Sequence, residues 1–90
     1  MTIEAVHIVV RGRVQGVWYR ASAKARASEL KLAGWARNCP DGTVEIHAEG
    51  DRQNLDQFIE WCRKGPSAAE VTGLDTTPVS TNGMETFLIR

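Results

Sequence analysis

Residues 12–20, GRVQGVWYR, collect groups suited to holding an anion: two glycines, a run of main-chain amides and a closing arginine. Glycines let the backbone curl so that successive N–H groups converge, and a helix starting just beyond adds its partial positive charge, a cradle for phosphate oxygens. Arg20, expected in the first turn of that helix, would complete the cradle. Its guanidinium can donate two parallel hydrogen bonds to a phosphoryl group, which an ammonium cannot mimic. The nucleotide-binding patterns do not apply, because G-x-x-x-x-G-K-[ST] lacks its lysine and hydroxyl residue here and G-x-G-x-x-G is absent. By spacing alone the signal is weak, because a glycine loop before a helix is often just a turn, with Arg20 a solvated helix charge like Arg11, Arg13, Arg26 and Arg37.

A second polar residue, Asn38, stands ahead of the turn sequence CPDG. An asparagine there either ends a strand by bonding its own backbone or presents a side-chain oxygen to a bound water. His7 and His47 fall on alternating strand positions that point to a wet sheet face, so neither is assigned a catalytic role. Trp18 and Tyr19 are expected to pack at the start of the helix, and Gln15 to shape the loop. With no CxxC pair and no histidine at ligand spacing, a structural zinc site is not expected. Cys62 falls on the apolar stripe of a helix as a small filler; whether it and Cys39 are free or oxidised stays open.

These groups need elements to position them. Ala5–Val10, AVHIVV, is β-branched with Val6, Ile8 and Val10 on one face, a strand. ASAKARASEL, residues 21–30, forms a helix with Ala23, Ala27 and Leu30 inward, and Gly34 marks its exit region. LAGWARN, residues 32–38, and TVEIHAE, residues 43–49, pair through CPDG as a hairpin. Val44, Ile46 and Ala48 face one way, and Thr43, Glu45, His47 and Glu49 face solvent. Asp51 caps a second helix whose stripe is Leu55, Phe58, Ile59 and Cys62, ending at Gly65 and Pro66. A weaker strand covers Val71–Asp75, a polar connection Thr76–Gly83, and a last strand Glu85–Arg90, with Phe87 and Ile89 on one side. The order is βαββαβ, an α+β ferredoxin-like sandwich with two helices on one face of a mainly antiparallel sheet.

Composition sets bounds on partners. Eleven basic and eleven acidic residues cancel, so no global field draws nucleic acid or an anionic membrane. The topology is shared with RNA-recognition domains, but the exposed side of the third strand is acidic and carries no aromatic to stack bases. There is no apolar run of membrane-spanning length and no signal-like start, so a cytoplasmic protein of a single domain, residues 1–90, is expected.

GRVQGVWYR, followed after a helix by GWARNCPDGTVEIHAEG at 34–50, closely resembles the two signature segments of the acylphosphatases. The likeness continues through GPSAAEV at 65–71 and the terminal FLIR, so it runs in order along nearly the whole chain. The resemblance implies hydrolysis of small acyl phosphates without cofactor or metal, by a monomer. It implies that Arg20 and the main-chain amides of Gln15, Gly16, Val17, Trp18 and Tyr19 bind the phosphate, and that Asn38 holds the attacking water. The alternative is a binding module of the same fold that retains a phosphorylated metabolite such as carbamoyl phosphate, as related domains do inside larger proteins. The chain's length, with the last strand at its end, argues against that alternative.

Overall fold

A computed structural model describes residues 2–90. The elements run β1 (Ile3–Arg13), α1 (Tyr19–Glu29), β2 (Ala33–Asn38), β3 (Val44–Asp51), α2 (Arg52–Lys64), β4 (Glu70–Val79) and β5 (Phe87–Ile89). This is the expected βαββαβ framework with its C-terminal strand added at an edge. The sheet order is β4-β1-β3-β2-β5. All pairs are antiparallel except β2 with β5.

The core follows the period-two and helical patterns. Val6, Ile8 and Val10 of β1 and Val44, Ile46 and Ala48 of β3 are buried on one face, against Ala23 and Ala27 of α1 and Leu55, Phe58 and Cys62 of α2. The buried residues of α1 on that side, Ala23 and Ala27, are small, which permits the helix a close approach to the sheet. Asp51 caps α2 as expected, its carboxylate accepting from the Gln53 N–H at 3.0 Å, and Gly65 ends that helix. Cys62 is fully buried, and burial pushes its thiol pKa up to about 12, so it fills space as a neutral apolar group. Both cysteines are unpaired.

Several expectations change. β1 continues through Arg13, so Gly12 belongs to a bulge against β4 and not to the loop. β4 runs on from Asp75 to Val79, with Pro78 in it; as an edge strand it tolerates a residue without an N–H. The exit from α1 is made by Lys31, whose φ is 56°, while Gly34 lies inside β2. Finally, the sheet face away from the helices is not wet throughout. His47 and Glu49 are each only 5% exposed. The segment before β5 lies across them, with the N–H groups of Asn82 and Met84 donating to the Glu49 carboxylate at 2.8 and 2.9 Å. His47 Nε2 meets the same carboxylate at 2.6 Å, and Trp35 stacks on the imidazole. Burial opposes ionisation of Glu49, but these donors outweigh it and hold its pKa below the usual carboxylate range.

Candidate functional site

The loop between β1 and α1 is residues 14–18. Its shape comes from backbone signs: Gly16 has φ 72° and Trp18 φ 66°, with Val17 between them outside the left-handed region. Alternation of that kind swings consecutive N–H groups toward a common side, a nest for an anion. Among the described residues, no main-chain hydrogen bond outside the helices and strands uses an N–H of residues 15–18 as donor. α1 begins at Tyr19, so the positive end of its dipole and its first unpaired N–H groups meet the same loop.

Two anchors hold the loop. Val14 and Val17 are buried in the core. Tyr19 is 1% exposed and donates its hydroxyl to the Cys62 carbonyl at 2.7 Å, with its ring against Trp61; burial first, then this contact, raises its pKa and keeps it neutral. The second anchor is Gln15. Its side-chain Nε2 donates to the carbonyls of Cys39 at 2.8 Å and Thr43 at 2.9 Å, which ties the loop to the turn that follows Asn38.

Arg20 stands in the first turn of α1 with its guanidinium partly exposed. Nη1 donates to the main-chain oxygen of Arg90 at 2.8 Å, its one protein hydrogen bond among the described residues. The rest of the five-donor fork is unspent. The Arg90 guanidinium in turn lies 4.8 Å over the Trp35 ring, and the Arg90 N–H donates to the Ala36 carbonyl at 2.8 Å. Arg20 is therefore steadied by the chain just beyond β5, itself seated on β2.

Asn38 is the last residue of β2 and is exposed. The turn after it is closed by other groups. Cys39 N–H donates to the Thr43 carbonyl, Gly42 N–H donates to the Cys39 carbonyl, and Asp41 accepts from both the N–H and the hydroxyl of Thr43. The Asn38 side chain makes no protein hydrogen bond among the described residues, so the turn-opening account does not describe it. Trp18 also departs from expectation: it is 80% exposed rather than packed at the helix start.

Gly16, Trp18, Tyr19, Arg20 and Asn38 line one cavity of about 410 Å³, together with Val14, Ala21 and Ile89. Of the residues singled out in the sequence, Gln15 and Val17 do not line it; they contribute main chain to the loop and side chains to its support. The contact that sequence reasoning missed is Gln15 to the Cys39 and Thr43 carbonyls, for which no local signal exists. His7 is drawn instead to Glu45, at 2.6 Å, and has no part in the cavity. Arg11 and Arg37, expected to be solvated, are exposed but paired with Asp75 and Glu45. Among the described residues no cluster of three or more His, Cys, Asp or Glu side chains could hold a metal ion, and no helix is long and apolar enough to cross a membrane.

The acylphosphatase family profile matches residues 6–89. A curated acylphosphatase of Methylococcus capsulatus is 57% identical over 81 residues, covering 90% of this chain and 88% of its own. One of Synechococcus is 53% identical over 90% of this chain and 69% of its own. Among solved structures, an acylphosphatase from Coxiella burnetii superposes with a TM-score of 0.95 at 34% identity over 98% of this chain and 93% of that one. The Bacillus subtilis acylphosphatase gives 0.94 at 39% identity, with 99% of each chain covered. With its profile, its relatives and its fold in agreement, the chain belongs to the acylphosphatase family of hydrolases.

Proposed function

We propose that the chain hydrolyses small acyl phosphates to carboxylate and inorganic phosphate within the cavity between the 14–18 loop and the end of β2. The phosphoryl oxygens bind the N–H groups of Gln15, Gly16, Val17, Trp18 and Tyr19 and the free donors of Arg20. Asn38 Oδ1 accepts a hydrogen bond from a water and holds it in line with the acyl–oxygen bond to phosphorus. The water oxygen bonds to phosphorus as the bond from phosphorus to the acyl oxygen breaks. That electron pair leaves on the carboxylate, and the water's protons end on the released phosphate. A carboxylate is a weakly basic leaving group, so no strong general acid is required. What the reaction asks of the protein is alignment and stabilisation of phosphoryl charge. Arg20, a nest of amides and one carboxamide supply both.

The observation that carries this reading is that one cavity of about 410 Å³ is lined by Gly16, Trp18, Arg20 and Asn38 together, an amide nest, a guanidinium and an uncommitted carboxamide. The test is phosphate release from acetyl phosphate. Arg20→Lys should lose at least about a hundredfold in turnover while staying folded, the cost of removing a preorganised donor. Asn38→Ala should lower kcat more than it weakens competitive inhibition by inorganic phosphate. Full turnover by Arg20→Lys, or equal losses of kcat and phosphate affinity in Asn38→Ala, would remove that residue from its role. Multiple turnovers with excess substrate distinguish hydrolysis from retention of a bound phosphorylated metabolite.

A further inference from the structure

We propose that Glu49 is a positioning residue for the reaction: its buried carboxylate pins the segment leading into β5 and so sets where Arg90, and through it Arg20, stands at the cavity. The proposal rests on the reading of Arg20 given above and extends it to a residue on the sheet face away from the helices.

The topology creates the need. β4 and β5 lie at opposite edges of the sheet, so residues 80–86 must cross it from one edge to the other. They form no helix or strand, and all but Met84 are exposed. Outside the helices and strands, the hydrogen bonds that tie residues 80–85 down among the described residues are the two that the Asn82 and Met84 N–H groups donate to Glu49, at 2.8 and 2.9 Å. The strand that follows has three residues and a single neighbour, β2. Just beyond it stands the Arg90 oxygen that accepts from Arg20 Nη1 at 2.8 Å.

A second route leads from Glu49 to the same place. His47 Nε2 meets the Glu49 carboxylate at 2.6 Å, Trp35 stacks on the imidazole with ring centroids 6.2 Å apart, and the Arg90 guanidinium lies 4.8 Å over the Trp35 ring. One carboxylate therefore holds both the main chain that arrives at Arg90 and the ring on which the Arg90 side chain rests. An apolar side chain at position 49 could not do this. Apolar packing is non-directional and lets a segment slide, whereas two oxygens facing two N–H groups accept one register. Burying a charge is costly, and a carboxylate kept there, remote from the cavity, answers a demand for a single arrangement of the crossing segment.

The experiment measures kcat/KM for acetyl phosphate and competitive inhibition by inorganic phosphate in Glu49→Gln, Asn82→Pro and Leu55→Ala, alone and combined with Arg20→Lys, with circular dichroism confirming the fold. Asn82→Pro removes one of the donated N–H groups and leaves the carboxylate intact; the φ of Asn82 is negative, as proline requires. Glu49→Gln and Asn82→Pro should each lower kcat/KM about three- to tenfold and weaken phosphate binding. Leu55→Ala loosens the core under α2 and should change neither, because a folded but less stable chain keeps Arg20 in place. In the Arg20→Lys background the Glu49→Gln loss should largely vanish, since its effect passes through the guanidinium. Should Glu49→Gln fail to fold, Asn82→Pro carries the test. Unchanged turnover and phosphate affinity in the folded variants would overturn the proposal, and so would a loss matched by Leu55→Ala or undiminished beside Arg20→Lys. Wild-type turnover by Arg20→Lys alone would overturn it together with the role of Arg20 itself, and that single variant tells the two failures apart.

Discussion

Replacing Gln15 by glutamate changes an NH₂ to an oxygen at nearly constant shape, and the two carbonyls that face it make the consequence calculable. In the native chain Gln15 Nε2 donates one hydrogen to Cys39 O at 2.8 Å and the other to Thr43 O at 2.9 Å. Each such bond contributes about 0.5 to 1.5 kcal/mol net, so losing both costs about 1 to 3 kcal/mol. Gln15→Ala should cost about 1 kcal/mol, near the bottom of that range, because the side chain is only half-buried and water can reach the abandoned carbonyls. Gln15→Glu adds repulsion between a carboxylate and two carbonyl oxygens, so its cost at neutral pH should reach about 3 kcal/mol. The introduced carboxyl escapes by protonating, since its neutral form can donate to one of the two carbonyls. Its folded-state pKa is then raised above the unfolded value, so the penalty is full above that raised pKa and shrinks as pH falls through it. Urea unfolding followed by tryptophan fluorescence at pH 7 and pH 5 reads this directly. With a urea dependence of about 1 to 3 kcal/mol/M, the glutamate variant's midpoint should lie about 1 M or more below wild type at pH 7 and recover in part at pH 5. The same tie holds the 14–18 loop to the turn after Asn38, so on the proposed reading Gln15→Ala should lower kcat for acetyl phosphate and Gln15→Glu should also raise KM by repelling the anion. Stability in the order wild type, alanine, glutamate is the signature. A glutamate variant as stable as wild type at pH 7 would mean that Gln15 does not brace the turn.

Three further substitutions probe the frame around the site. Gly34→Ala places a Cβ 1.8 Å from the His47 carbonyl oxygen at φ 150°, so the β2–β3 pairing must part; a loss of at least about 3 kcal/mol is expected by thermal unfolding. Tyr19→Phe removes the hydroxyl that donates to Cys62 O at 2.7 Å within the core and should destabilise by about 1 to 2 kcal/mol in urea. Glu49→Gln keeps one acceptor oxygen but turns its NH₂ against the other of the Asn82 and Met84 N–H donors, a loss of about 1.5 to 3 kcal/mol at pH 7. Because the folded-state pKa of Glu49 is lowered, its contribution is present above the ordinary carboxylate pKa and lost as pH falls through the lowered one. The gap between wild type and Glu49→Gln should therefore close on acidification, and a gap independent of pH would contradict the ionised reading of Glu49.

What the sequence makes legible is whatever a few neighbouring residues decide. Val6, Ile8 and Val10 alternate because a strand alternates, and Asp51 caps α2 because its carboxylate needs to reach only two residues along, to Gln53. Glu49 obeys the same alternation, which points it to solvent, yet it is buried and met by the N–H groups of Asn82 and Met84, whose arrival is settled by the path of a distant segment. Gly34 illustrates the same limit. A glycine shortly after a helical stretch reads as a helix exit, and only the His47 carbonyl across the sheet reveals that its missing Cβ serves strand pairing. Pro78 in a polar stretch reads as a break after Asp75, and the signal fails because β4 lies at the sheet edge. At the site, the glycine loop suggested an anion cradle from chemistry alone, but Arg20 and Asn38 were separated from ordinary surface residues by family resemblance, not by spacing. The structure adds what neither route offered. The turn beyond Asn38 is closed by Asp41, Cys39 and Thr43, so the one carboxamide at the cavity that could have been consumed by local structure is left over. A side chain excused from holding its own turn is the kind of group a reaction can use, and that surplus, more than its position in a motif, is the physical support for the water-holding role proposed for Asn38.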